Sequence, residues 1–121
     1  MSSGQTIQVS SDQDIITARM LVRELARIWG LSVRDQACIS LATSSLAQFL
    51  HMGACGGKII MESFKQGGRV GIRVVCSSVN GNADNLAPAL FGETKRMVDD
   101  LTIERRPSNE IRIKIVKWST A

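Results

Sequence analysis

The chain has 121 residues, 44% of them apolar, which predicts one folded domain over residues 1–121 with a largely aliphatic core. No apolar run approaches the roughly 20 residues of a membrane span, and three widely spaced cysteines suit neither a disulfide framework nor a zinc site, which predicts a reducing cytoplasm. A net charge of +4 without basic–aromatic alternation does not favour nucleic acid as a partner.

The N-terminal half is predicted to hold a short strand and two amphipathic helices. Residues 6–9 alternate in polarity and predict an edge strand. A helix is predicted over 13–29 and is ended by Gly30 in the left-handed conformation, and Ser32 can cap a second helix over 33–52. The predicted apolar stripe of the first helix consists of Ile16, Met20, Leu21, Leu25 and Ile28.

The C-terminal half is predicted to form four strands and one helix. The strands are predicted at 58–64, 69–76, 101–105 and 110–118, and the helix at 85–99. In the last strand, Ile111, Ile113 and Ile115 alternate with Arg112 and Lys114, as in a strand with one wet face. The element order predicts an α+β two-layer sandwich, in which about three helices cover one face of a mixed, mostly antiparallel sheet.

Six residues of the second predicted helix, Ser44-Ser45-Leu46-Ala47-Gln48-Phe49, carry the most specific pattern in the chain. They resemble the N-box, a pattern close to S-E-L-A-R-N, of the anti-sigma-factor serine kinases (switch kinases) of the GHKL ATPase superfamily. Further similar pieces stand in the family's order at residues 14–19, 30–31, 35–37, 95–101 and 115–118. The resemblance covers most of residues 6–118 and implies the Bergerat ATP-binding fold.

Two reactive positions of the N-box differ from the family pattern. Ser45 stands where the family has the Glu that serves as general base, and a hydroxyl is not a base near neutral pH. Phe49 stands where the family has the Asn that gives an oxygen to magnesium, and a phenyl ring offers no oxygen. The resemblance therefore implies loss of both functions, and Phe49 is expected to be a core residue.

The adenine and phosphate motifs also differ. The family's D-x-G-x-G is replaced by a segment with Cys76 at the Asp and with Ser78 and Asn80 at the glycines. The glycine-rich lid that donates backbone N–H groups to phosphates looks deleted, since only Gly81 and Gly92 remain in that region. We therefore expect a degenerate, non-catalytic domain that binds no ATP, magnesium or other metal at these positions.

Without catalysis, the resemblance implies a protein-binding regulator in a bacterial partner-switching pathway. Its expected partners are a STAS-domain antagonist, a sigma factor or a PPM-type phosphatase, or a second copy in a homodimer. Arg19, Arg23 and Arg27 step by four along the first helix, which predicts either a solvated face or a docking surface for an acidic partner.

Two alternatives stay open. The first is an active ATP-dependent protein-serine kinase or anti-sigma factor with an altered site. The second is a small basic nucleic-acid-binding domain, whose binding would weaken with salt. Its candidate contacts are Arg105, Arg106, Arg112, Lys114 and Lys117.

Overall fold

The computed structural model describes residues 4–53, 56–78, 88–106 and 110–120. Five strands and three α-helices form in this part of the chain, and α2 continues into a π-helical turn. The strands are β1 (Gly4–Val9), β2 (Gly57–Gln66), β3 (Arg69–Ser78), β4 (Asp100–Arg105) and β5 (Ile111–Trp118). The helices are α1 (Asp12–Ile28), α2 (Val33–Gln48), the π-helical turn (Phe49–Gly53) and α3 (Pro88–Met97).

Local sequence signals set the ends of α1 and α2. Ser11 caps α1 through a capping box with Asp14, in which each side chain accepts a hydrogen bond from the other residue's backbone N–H. Gly30 ends the helix in the left-handed conformation at φ 83°, as predicted. The hydroxyl oxygen of Ser32 accepts from the backbone N–H of Asp35 at 3.1 Å, which confirms the predicted cap of α2.

The sheet has the order β1-β2-β3-β5-β4, and every pairing among the described strands is antiparallel. β2 and β3 form a hairpin closed by Gly67 and Gly68, whose positive φ angles of 60° and 81° suit a tight two-residue turn. The chain then crosses through α3 to the edge strand β4, and β5 returns between β3 and β4. The predicted two-layer α+β sandwich is thereby confirmed.

The core lies between one face of the sheet and the helices. Register places Ile59, Cys76, Ile113 and Ile103 in one row across four strands, and the first three are buried. Alternation in β5 is as predicted: Ile111, Ile113 and Ile115 are buried, whereas Arg112 and Lys114 point to the other face. The opposite face of the sheet is left uncovered by the described helices.

The predicted apolar stripe of α1 is wrong for three of its five members. Ile16, Met20 and Ile28 are 40%, 64% and 64% exposed. The residues that face the core include small ones that the stripe omitted, because α1 packs closely against α2 and the sheet. The buried residues of α1 are Ala18, Val22, Leu25 and Ala26. No helix among the described residues is both long and apolar enough to cross a membrane.

Candidate functional site

A cavity of about 170 Å³ lies between α2 and α3, and Ser45 alone among the described positions of the predicted nucleotide pocket lines it. Its polar side chains are three hydroxyls and one carboxylate, and its apolar side chains come from both helices. The cavity is lined by Leu41, Ala42, Ser44, Ser45, Glu93, Thr94 and Met97.

The structure separates the two N-box positions. Ser45 lines the cavity, and its hydroxyl donates to the backbone carbonyl of Leu41 at 3.2 Å. Phe49, at the start of the π-helical turn, is 7% exposed, belongs to the core, and is not among the residues that line the cavity. The expected core role of Phe49 is confirmed, and the hydroxyl oxygen of Ser45, whose hydrogen is donated to Leu41, can still accept a hydrogen bond.

Thr94 gives the cavity an unsatisfied polar group. The side chain is 1% exposed, and its hydroxyl has no hydrogen-bond partner in the described part of the chain. A buried hydroxyl without a partner costs about 1–3 kcal/mol, so such groups are rare and point to a ligand or an ordered water. Thr94 is one residue after Glu93, so both polar groups enter the cavity from α3.

Glu93 was missed by motif comparison. It supplies the carboxylate among the cavity-lining residues that the structure describes, and it faces a cavity shared with Ser45. The family pattern places its carboxylate on α2, so a carboxylate on α3 lies outside every motif. A usable signal was its place in the third predicted helix, directly after the region of the shortened lid.

The remaining motif positions do not reach the cavity. Cys76 is fully buried within the sheet, and burial raises the pKa of its thiol to about 12, although a backbone hydrogen bond with Ile113 opposes the shift. Ser78 is also buried, and its hydroxyl donates to the carbonyl of Gly56 at 3.1 Å. Asn80 lies outside the described residues. Cys76 and Ser78 are structural residues here.

The three arginines predicted to form a row on α1 differ in whether they form an ion pair. Arg27 is paired with Glu24 through two side-chain hydrogen bonds, and the pairing raises the pKa of Arg27. Arg19 and Arg23 are exposed and form no ion pair with any described residue. Two of the three arginines are therefore available to a partner, and the third is largely neutralised by its neighbour.

The basic residues proposed for nucleic acid do not form one surface. Arg106 and Arg112 lie 3.8 Å and 3.5 Å from the carboxylates of Glu104 and Glu110. Lys117 faces the helical side, within 4 Å of Asp35 and Asp99, whereas Lys114 lies on the open face of the sheet. Acidic partners and opposed directions weaken the electrostatic attraction that a nucleic-acid site needs.

His51, in the π-helical turn, has an acidic neighbour that is distant in sequence. Its Nε2 lies 3.1 Å from a carboxylate oxygen of Asp12 on the first turn of α1. The pair links the π-helical turn to α1. No cluster of three His, Cys, Asp or Glu side chains able to hold a metal occurs among the described residues.

Comparison with known proteins gives relatives of one kind. No family model matches the chain. The serine/threonine-protein kinase RsbT of Bacillus subtilis is 24% identical over 132 residues, an alignment that covers 98% of each chain. The crystal structure of the RsbU and RsbW domains of Rv1364c from Mycobacterium tuberculosis matches with a TM-score of 0.74 at 15% identity. That match covers all of this chain, which spans about a third of the other.

These comparisons confirm the resemblance to the switch kinases and the GHKL-like fold. They also overturn the prediction that the chain is not an enzyme, because the relative that it matches over nearly its full length is a serine/threonine-protein kinase. The motif positions are only those where the family carries reactive side chains, and they include neither Glu93 nor Thr94. Glu93 and Thr94 enter the same cavity from another helix. The absence of ATP and magnesium stays a prediction.

Proposed function

We propose that the protein is a serine/threonine-protein kinase of the anti-sigma, partner-switching type, which phosphorylates a protein partner in the bacterial cytoplasm. The observation that carries the proposal is the cavity that is lined both by Ser45, at the N-box position, and by Glu93. The relative RsbT, a kinase that aligns along almost the whole chain, supports the reaction class. This proposal replaces the motif-based expectation of a non-catalytic regulator.

Glu93 is the general base in the proposed reaction. A serine or threonine hydroxyl of the partner attacks the γ-phosphorus of ATP, the bond from that phosphorus to the bridging oxygen breaks, and ADP leaves. The hydroxyl proton passes to the carboxylate of Glu93, because the hydroxyl of Ser45 does not accept a proton near neutral pH. The hydroxyl of Thr94, which has no partner among the described residues, would donate a hydrogen bond to an oxygen atom of the nucleotide.

The donor set fits magnesium only together with phosphate. Magnesium in phosphoryl-transfer sites is usually held by one or two protein carboxylates plus phosphate oxygens and water, and it neutralises developing charge there. Because Glu93 serves as the base, the hydroxyl of Ser44 would be the protein ligand from this cavity, and phosphate oxygens and water would supply the rest. At about 170 Å³ the cavity is smaller than the roughly 300 Å³ of ordinary ligand sites, so a nucleotide extends beyond it.

The proposed partner is a protein of the partner-switching network: a STAS-domain antagonist, a sigma factor or a PPM-type phosphatase. The unpaired arginines of α1 favour an acidic partner surface. A serine- or threonine-bearing STAS-domain protein is the best first substrate, because the reaction needs an accessible hydroxyl.

The test is phosphoryl transfer by the purified full chain. The chain is incubated with radiolabelled ATP, magnesium and a STAS-domain protein encoded in the same genome, and the labelled residue is located by mass spectrometry. We expect label on one serine or threonine of the partner and saturable ATP binding by calorimetry. Absence of both label and ATP binding, with the partner shown to bind, would overturn the proposal.

A further inference from the structure

The outer surface of the helical layer carries apolar side chains that the fold does not use. Ile16 and Met20, one turn apart on α1, are 40% and 64% exposed, and Leu41 on α2 is 51% exposed. These three residues are called the outer patch. Single exposed apolar residues are ordinary, but neighbouring ones on adjacent helices mark interaction surfaces.

A contact between the helices places the members of the outer patch at one level. The hydroxyl of Ser40 on α2 donates to the backbone carbonyl of Arg19 on α1 at 3.5 Å. Met20 and Leu41 each follow one of these residues directly. Because neither side chain is buried between the helices, both stand on the solvent side of the α1–α2 pair at the level of this contact.

Positive charge borders the outer patch. Arg19 and Arg23 flank Met20 on α1, are exposed, and have no ion pair within the described part of the chain. Arg34, in the first turn of α2, is likewise exposed and unpaired among those residues. Two copies of such a surface would repel each other, so the charge favours an acidic partner over a second copy of this chain.

We propose that the outer patch docks an amphipathic segment of a protein partner, with apolar side chains on one face and carboxylates beside them. The apolar side chains cover Ile16, Met20 and Leu41, and the carboxylates pair with Arg19 and Arg23. Apolar anchors beside paired arginines are the usual composition of tight protein–protein contacts.

The outer patch adjoins the cavity between α2 and α3. Leu41 belongs to both: its side chain is half exposed on the outer surface, and it also lines the cavity with Ser45 and Glu93. A segment bound to the outer patch therefore lies beside the candidate kinase site. If the bound segment belongs to the partner that is phosphorylated, the outer patch is the docking site of the kinase substrate. This part of the inference rests on the proposed function.

The test uses a synthetic amphipathic helical peptide of about five turns, with leucines on one face and glutamates beside them. Binding to the full chain is measured by fluorescence anisotropy, without ATP. We expect Arg19→Glu with Arg23→Glu to weaken binding at least about tenfold, and Met20→Ser with Leu41→Ser to do the same. A peptide with lysine in place of glutamate should not bind.

The matched control is Lys58→Glu with Lys114→Glu on the open face of the sheet. It changes the net charge by the same amount and should alter peptide affinity less than about twofold. All substituted positions are exposed, and circular dichroism is used to check that each variant folds. Equal weakening by the control, or no binding of the acidic peptide, overturns the docking proposal.

Two further outcomes separate the proposals. A wild-type dimer that dissociates on Met20→Ser with Leu41→Ser, seen by sedimentation, assigns the outer patch to a second copy and overturns the docking proposal. A chain that binds the acidic peptide but phosphorylates no STAS-domain partner overturns the proposed function and leaves the docking surface in place. A chain that phosphorylates the STAS-domain partner but does not bind the acidic peptide overturns the docking proposal and leaves the proposed function in place.

Discussion

Asp35 and Thr120 are 85 residues apart in sequence and are joined by two hydrogen bonds. One carboxylate oxygen of Asp35 accepts from the backbone N–H of Thr120 at 2.9 Å and from its hydroxyl at 2.6 Å. The ammonium group of Lys117 lies 3.7 Å from the other oxygen. This buried carboxylate ties the end of the chain to the first turn of α2, the helix that carries Ser45.

The pKa of Asp35 predicts acid sensitivity. Burial alone would raise it, but hydrogen bonds from Thr120 and Ser32 and the charge of Lys117 outweigh burial and hold the pKa below the ordinary value of an aspartate. Because the folded state favours the ionised form, the stabilisation is complete above about pH 5 and is lost as pH falls through the folded pKa. Asp35→Asn should cost about 1.5–3 kcal/mol at pH 7.

Urea unfolding of the wild type and Asp35→Asn from pH 7 to pH 2 checks this prediction. The difference in free energy of unfolding between the two should shrink below about pH 4. Asp100→Asn, at an exposed position on β4, is the control and should leave the pH dependence unchanged. A constant difference across the whole range would contradict the assignment.

Gly57 and Gly92 predict opposite effects of the same substitution. A Cβ at Gly57 would lie 2.3 Å from the carbonyl oxygen of Ser77 and 2.8 Å from Leu50, so Gly57→Ala should cost about 2–3 kcal/mol. A Cβ at Gly92 in α3 meets nothing within 4 Å, and Gly92→Ala should stabilise by up to about 1 kcal/mol. Thermal unfolding measures the stability change of both variants. A Gly57→Ala variant more stable than the wild type would contradict the close approach of Gly57 to the Ser77 carbonyl oxygen.

Thr94→Val tests whether the cavity is built for a ligand. The substitution keeps the shape and removes a buried hydroxyl without a partner, so we expect about 1 kcal/mol of added stability. If the hydroxyl donates to a nucleotide, ATP affinity falls in the same variant. Thr43→Val is the control, because Thr43 is also buried and unpartnered among described residues but does not line the cavity. It should gain stability with ATP affinity unchanged.

Glu93→Gln tests the proposed base. Loss of a general base typically costs about 10²- to 10⁴-fold in rate, so we expect at least about a hundredfold loss of phosphoryl transfer with ATP affinity changed little. Glu93→Asp should restore part of the activity, because it keeps a carboxylate at this position. Glu104→Gln on β4 is the control. Unchanged transfer by Glu93→Gln would exclude Glu93 and leave the reaction class intact.

The ends of the elements were predictable because their signals are local. Ser32 and Gly30 act within one helical turn, and the Gly67-Gly68 pair closes a hairpin whose strands alternate on either side. The face of α1 that is buried was not predictable from local signals. Periodicity places Ile16 and Met20 on one helix face, but which face is buried depends on where α2 and the sheet approach.

The sequence by itself determined the α+β class, the helix caps, the alternating β5 strand and the resemblance to the switch kinases, because each depends on neighbouring residues or on motif order. Only the tertiary structure decided that Ser45 faces a cavity while Phe49 is buried. Only the structure brought Glu93 and Thr94 to the cavity that Ser45 lines, since they are distant from Ser45 in sequence. Side chains from different helices form a site only after packing brings those helices together, and no local pattern encodes that distance.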